Sequence, residues 1–152
     1  MRLLPSTSRS VPARAGAGDL AHLGGPTRGA LLLSFDGLAP AARDAEAELV
    51  LVPHEDGIPP GIPVTVLVDR VRPPGPAGEP AVLAERVAER LVGPDTRGPI
   101  RIDVSRLVRV CARNGVRHLD LALRVVGDGE LLVTSAQSPD AARRPRLDLY
   151  VP

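Results

Sequence analysis

Apolar residues in this chain fall into short runs with a spacing of two, separated by breaks rich in glycine and proline. That spacing is the period of a half-buried strand, because successive side chains point to opposite faces. Residues 30–35 form a near-continuous apolar run between Gly29 and Gly37, long enough for a buried strand and too short for a helix. Residues 45–52 alternate and then turn wholly apolar until Pro53. Residues 62–71 put Ile62, Val64, Val66 and Val68 on one face and Thr65, Leu67 and Asp69 on the other. Residues 99–104 turn Ile100, Ile102 and Val104 inward. The cleanest strand is 119–125, where Leu119, Leu121, Leu123 and Val125 interleave with Asp120, Ala122 and Arg124. Shorter strands are expected at 19–23, 131–135 and 146–151.

The breaks carry their own signals. Gly127-Asp128-Gly129 reads as a tight hairpin turn, with 131–135 as the returning strand. Residues 57–61 read as a turn and 72–80 as a surface loop. Ser105 can cap a short helical turn that buries Leu107, Val108 and Cys111, and Asn114-Gly115 ends it. Residues 81–92 fit two periods. At helical spacing Val82, Leu83, Val87 and Leu91 form one stripe, and Glu85, Arg86, Glu89 and Arg90 form ion-pair positions. At period two the same segment is a poorer strand, so the local pattern leans to helix. Residues 1–18, rich in Ser, Arg, Pro, Ala and Gly, read as a flexible N-terminal arm before a domain at 19–152. About eight strands with one or two short helices define an all-β class, an antiparallel β-sandwich.

The order of several motifs resembles the DNRLRE (disaggregatase-related) domain family. Its early Leu-Leu-x-Phe-Asp strand is met by Leu32-Leu33-Ser34-Phe35-Asp36. Its Ala-x-Leu-x-Leu strand is met by Ala47-Glu48-Leu49-Val50-Leu51. Its Asp-Val-Thr-x-Leu-Val turn is met by Asp103-Val104-Ser105-Arg106-Leu107-Val108. Its closing Ser…Arg-Pro-x-Leu pattern is met by Ser135 and Arg144-Pro145-Arg146-Leu147-Asp148-Leu149-Tyr150. The resemblance spans about residues 19–151 and implies a jelly-roll-like sandwich, an exported protein and a link to polysaccharides. The chain departs from the family where tryptophans are usual: Arg72-Pro73-Pro74 and Val110-Cys111 stand there.

Composition narrows the chemistry. The 152 residues suit one domain, 43% are hydrophobic and only 1% aromatic, so the core must be aliphatic. Net charge is +1, and every basic side chain apart from histidine is Arg. This gives no field to draw nucleic acid, and stacking aromatics are lacking too. No apolar stretch is long enough to span a bilayer, and residues 1–10 lack a signal-peptide core, so a cytoplasmic protein or part of an intracellularly built assembly is expected. The single cysteine, Cys111, excludes an internal disulfide and reads as a small core residue rather than a nucleophile. His22, His54 and His118 have no ligand-spaced partners, so no zinc site is expected. His54-Glu55-Asp56-Gly57 and Asp128 offer too few oxygens for structural Ca²⁺, and no cofactor is expected.

Asp36, Asp103 and Ser105 stand where strands give way to turns and read as structural caps that accept backbone N–H groups. Arg2, Arg9 and Arg14 in the arm, and Arg143, Arg144 and Arg146 near the end, are the candidate interaction residues, because arginine suits protein contacts. The expectation is therefore a non-catalytic structural or interaction module that associates with itself or with another protein of a larger assembly. A shell, filament or tail component would fit. The alternative is a carbohydrate-binding module. Its difficulty is that Phe35 and Tyr150 both sit in strands, where core burial is expected for each.

Overall fold

A computed structural model describes residues 2–3, 7–11, 20–24, 30–54, 61–72, 82–135 and 138–152. They form β1 (Arg2–Leu3), β2 (Thr7–Val11), β3 (Leu20–Gly24), β4 (Ala30–Phe35), β5 (Glu46–Leu51), β6 (Val64–Arg72), β7 (Val82–Val92), β8 (Ile100–Asp103), α1 (Ser105–Arg113), β9 (Leu119–Val126), β10 (Glu130–Thr134) and β11 (Arg146–Tyr150), with 3-10 turns at Pro40–Asp44 and Ala141–Arg143. All strand pairings are antiparallel. A four-stranded sheet has the order β1-β11-β5-β8, a five-stranded sheet the order β2-β4-β9-β6-β7, and β10 pairs with β3. This is an all-β, sandwich-like fold.

The alternation seen in the sequence builds the core. Leu31, Leu33 and Phe35 of β4, Val64, Val66 and Val68 of β6, and Leu119, Leu121 and Leu123 of β9 come from the five-stranded sheet. Ala47, Leu49 and Leu51 of β5, Ile100 and Ile102 of β8, and Leu147 and Leu149 of β11 come from the four-stranded sheet. All belong to one buried cluster. Each fully buried large aliphatic contributes about 1.5–3 kcal/mol relative to exposure, so this face is the main source of stability. Helix α1 adds Leu107, Val108, Cys111 and Ala112 to it, and Gly115, at φ +72°, ends the helical segment in the left-handed region.

Two local readings are corrected. Residues 82–92 are a strand, not a helix. In the register with β6, Val68 faces Ala88 and Asp69 faces Arg86, so Val87 is an extra residue. Arg70 faces Glu85 and Val71 faces Leu83, so Ala84 is a second. Two bulges break the period of two along β7, and the broken alternation mimics a helical spacing. The leftover apolar residue, Leu91, lies 67% exposed at the sheet margin.

The second correction concerns 127–129. The turn does not close a hairpin, because β9 pairs with β4 and β6 while β10 crosses to β3. A Cβ at Gly129 would stand 2.7 Å from the Ile62 carbonyl oxygen and 2.8 Å from a Val64 methyl. The glycine serves a close approach of chains as β10 leaves the sheet. There β10 also meets the end of β5: the His54 amide donates to Leu132 O at 2.8 Å and the Thr134 amide to Val52 O at 2.9 Å.

The three strands beyond the eight expected are β7 and two from the segment read as an arm. Arg2–Leu3 lines up with β11 and Thr7–Val11 with β4, while 12–18 lies outside the described residues. Ile62, expected in a strand face, precedes β6 and is exposed.

Candidate functional site

Among the described residues Asp69 is buried between Arg86 at 2.6 Å and Arg124 at 3.0 Å, and two further polar clusters lie at the outer surfaces. The first is where β4 ends and β9 begins. The register sets Ser34 opposite Asp120 and Phe35 opposite Leu119, which brings Asp36 and His118 together just beyond. Ser34 Oγ donates to Asp120 Oδ1, His118 Nε2 lies 2.9 Å from the same Asp120 oxygen, and His118 Nδ1 bonds to Asp36 Oδ1. Leu38 N donates to Arg117 O at 3.1 Å beside them and holds the two chain segments together. The Asp36 carboxylate therefore clasps a histidine.

With a carboxylate on each ring nitrogen, the imidazolium satisfies both. The hydrogen bond to Asp36 is the main cause that raises the His118 pKa above its ordinary 6.5, against a smaller loss from burial. A raised folded-state value means that the clasp contributes stability fully below the ordinary histidine range and loses it as pH rises through the folded value. Titration of the His118 ring protons by NMR should give a midpoint above 6.5, and Asp36→Asn should bring it down toward 6.5. An unchanged midpoint in that variant would contradict the clasp. The Ser34 hydroxyl donates to a carboxylate oxygen.

The second place is a cleft of about 400 Å³ lined by Glu46, Glu48, Asp103, Ser105, Arg109 and Tyr150. Strands β5, β8 and β11 present alternate residues outward, and the start of α1 forms one wall. The register sets Tyr150 opposite Glu46, Asp148 opposite Glu48, and Glu48 opposite Asp103. Like charges side by side repel unless cations lie between. Arg101 supplies one, 3.6 Å from Glu48 and 3.4 Å from Asp148, and the Tyr150 hydroxyl donates to Glu48 at 3.2 Å. Arg109 Nε donates to Ala45 O at 2.8 Å.

Asp103 and Ser105 lie together here and refine the cap expectation. Asp103 Oδ1 accepts from the Ser105 amide at 2.9 Å and from its hydroxyl at 2.6 Å. These bonds hold the Asp103 carboxyl below its ordinary 3.8. Ser105 Oγ in turn accepts from Ala47 N at 2.9 Å and ties the helix start to β5. Asp103, not Ser105, thus receives the first amide of the helix.

No protein-family model matches the chain. A search of curated proteins likewise returns no match, and neither comparison bears on the DNRLRE resemblance.

The structure scatters the remaining candidates. Arg146 is only 9% exposed and pairs with Asp148 at 3.1 Å. Arg144 Nε donates to Ser138 O at 2.7 Å, and Arg143 is half-buried. Arg144 and Arg146 thus each bond within their own chain. Arg2 and Arg9 stand opposite Asp148 and Leu32 in the strand registers, and Arg14 lies outside the described residues. Residues 55–57 of the acidic turn also lie outside them. Among the described residues no group of three His, Cys, Asp or Glu side chains has metal-holding geometry, and no helix is long and apolar enough to cross a membrane. Cys111 is buried, and burial pushes its thiol pKa up, away from nucleophile chemistry.

Reading the sequence alone missed the cleft and the clasp. Tyr150, expected in the core, is 51% exposed on its rim. A signal was present: Ser34 with Asp36, and His118 with Asp120, are each two residues apart, so each pair shares a strand face. The missing fact was that the two faces adjoin.

Proposed function

We propose that this protein is a non-catalytic structural or interaction module that associates with copies of itself or with another protein of a larger assembly. The observation that carries this reading is where the reactive-looking side chains point. The serine, histidine and aspartates of the clasp bond to one another across β4 and β9, and the cysteine is buried. Such groups fasten strands. The jelly-roll form belongs to the same proposal. It is supported by the order β1-β11-β5-β8 beside β4-β9-β6-β7, which two interleaved Greek keys produce. Resemblance to the DNRLRE family agrees with that form.

Mass measurement after size-exclusion chromatography tests the reading. A species of at least twice the chain mass, growing with concentration, is expected, or a protein partner retained from lysate. A strict monomer at high concentration with no partner recovered would overturn it.

One observation favours carbohydrate binding as a second reading. The half-exposed Tyr150 ring borders a cleft that also offers carboxylates and a guanidinium, groups that suit sugar rings and hydroxyls. A glycan array in which the wild type binds and Tyr150→Ala does not would move the conclusion to this reading.

A further inference from the structure

Two strands near the start of the chain reach both sheets. Strand β1 lies at the margin of the four-stranded sheet beside β11, and β2 at the margin of the five-stranded sheet beside β4. Together β1 and β2, the strap, take the margins of the two sheets on one side of the sandwich. The opposite side is bounded by β7 and β8, which lie against each other.

The register of the strap shows what attaches it. Ser8 and Ser10 stand opposite Leu33 and Leu31, two of the most buried residues of β4, and Thr7, Arg9 and Val11 stand opposite Ser34, Leu32 and Ala30. The register runs along the whole of β2, so main-chain hydrogen bonding joins it to β4. Main-chain bonds are indifferent to which copy of the chain supplies the strand. Residues 12–19, Pro-Ala-Arg-Ala-Gly-Ala-Gly-Asp, follow the strap and contain no bulky apolar residue. Eight residues can reach about 26–29 Å when extended.

The far margin is closed to the same use. An isologous antiparallel pair has its two-fold axis through a residue facing itself. Centred on Val87, such a pair of β7 strands would set Glu85 against Glu89. Centred on Ala88, it would set Arg86 against Arg90. Both oppose like charges, and the two bulges bend the edge as well.

We infer that the strap is exchangeable, so that the margin formed by β4 and β11 accepts the N-terminal strands of a second copy of this chain. This rests on the self-association reading above and gives it a surface. The swapped and closed forms make the same strand bonds, so concentration and the linker decide between them.

Two variants test it, both carrying Cys111→Ala. One adds Arg9→Cys and the other Leu32→Cys, residues directly opposed in the register, at a spacing a disulfide can bridge. The two are mixed at high concentration, oxidised and weighed intact. A disulfide-linked heterodimer in roughly tenfold excess over either homodimer is the expected result. The pair Thr7→Cys and Ser34→Cys repeats the test should a variant fold poorly. Heterodimer no more than about twice as abundant as either homodimer, the ratio of random pairing, with wild-type protein still oligomeric by mass, overturns the exchange and leaves the module reading standing. No heterodimer and a monomeric wild type would sink both.

Discussion

Phe35→Ala should lower the free energy of unfolding by about 3–5 kcal/mol, the range for removing a fully buried aromatic ring. Phe35 is 1% exposed and is the largest of the fully buried side chains. It sits in the last position of β4 opposite Leu119, and the clasp residues flank both strands there. The core has no other aromatic to swing into the space, because the remaining ring, Tyr150, lies on the outer surface. Branched aliphatics around the hole relax only partly, so the loss includes a cavity as well as lost burial. Urea unfolding followed by far-ultraviolet circular dichroism should show a midpoint at least about 1 M lower, given a slope of 1–3 kcal/mol/M. Tyr150→Ala is the matched control. Its ring is half exposed, and its effect should be about 1 kcal/mol or less. Equal effects at the two positions would mean that the sheet faces have been assigned the wrong way round.

Gly129→Ala should cost about 2–3 kcal/mol, although it adds only one methyl group. The new carbon would fall within 2.7 Å of the Ile62 carbonyl oxygen and 2.8 Å of the buried Val64 side chain. Backbone and core would both have to move. Gly37→Ala separates this crowding from conformational strain. Gly37 sits at φ +81°, with open space where a Cβ would be, so that variant carries only the left-handed penalty, about 1 kcal/mol. Thermal melts of the two variants should order Gly129→Ala well below Gly37→Ala. The reverse order would deny the close approach by which the chain passes from β9 to β10.

Those two glycines show why some of the fold was legible and some was not. A glycine between apolar runs announces a turn, and Gly127-Asp128-Gly129 has the residues of a hairpin. Whether the chain returns along its own strand depends on which neighbour already holds that edge. Strand β9 has β4 on one side and β6 on the other, so β10 finds no place there and pairs with β3. Residues 82–92 failed for a related reason. Their helical stripe is real in the sequence, but bulges at Ala84 and Val87 absorb the misfit and let the segment lie along β6. Local propensity is a weak prior when a long partner strand offers hydrogen bonds along its whole length.

The candidate sites follow the same division. Asp103 and Ser105 are two residues apart and meet within one turn, so their partnership could be expected from the chain order. Asp36 and His118 are 82 residues apart, and only the pairing of β4 with β9 makes them neighbours. Glu46, Asp103 and Tyr150 come from three strands and share a cleft for the same reason.

By itself the sequence determined the class of the fold, the aliphatic core and the faces of its clearest strands, because burial of alternate side chains is a local, period-two property. Only the tertiary structure decided which strands became neighbours. That choice turned Tyr150 outward, bent 82–92 into an edge strand, brought His118 between two carboxylates and set β1 and β2 at the margins of the two sheets. Pairing joins residues distant along the chain through backbone groups that are alike at every position, so side-chain pattern alone does not specify it.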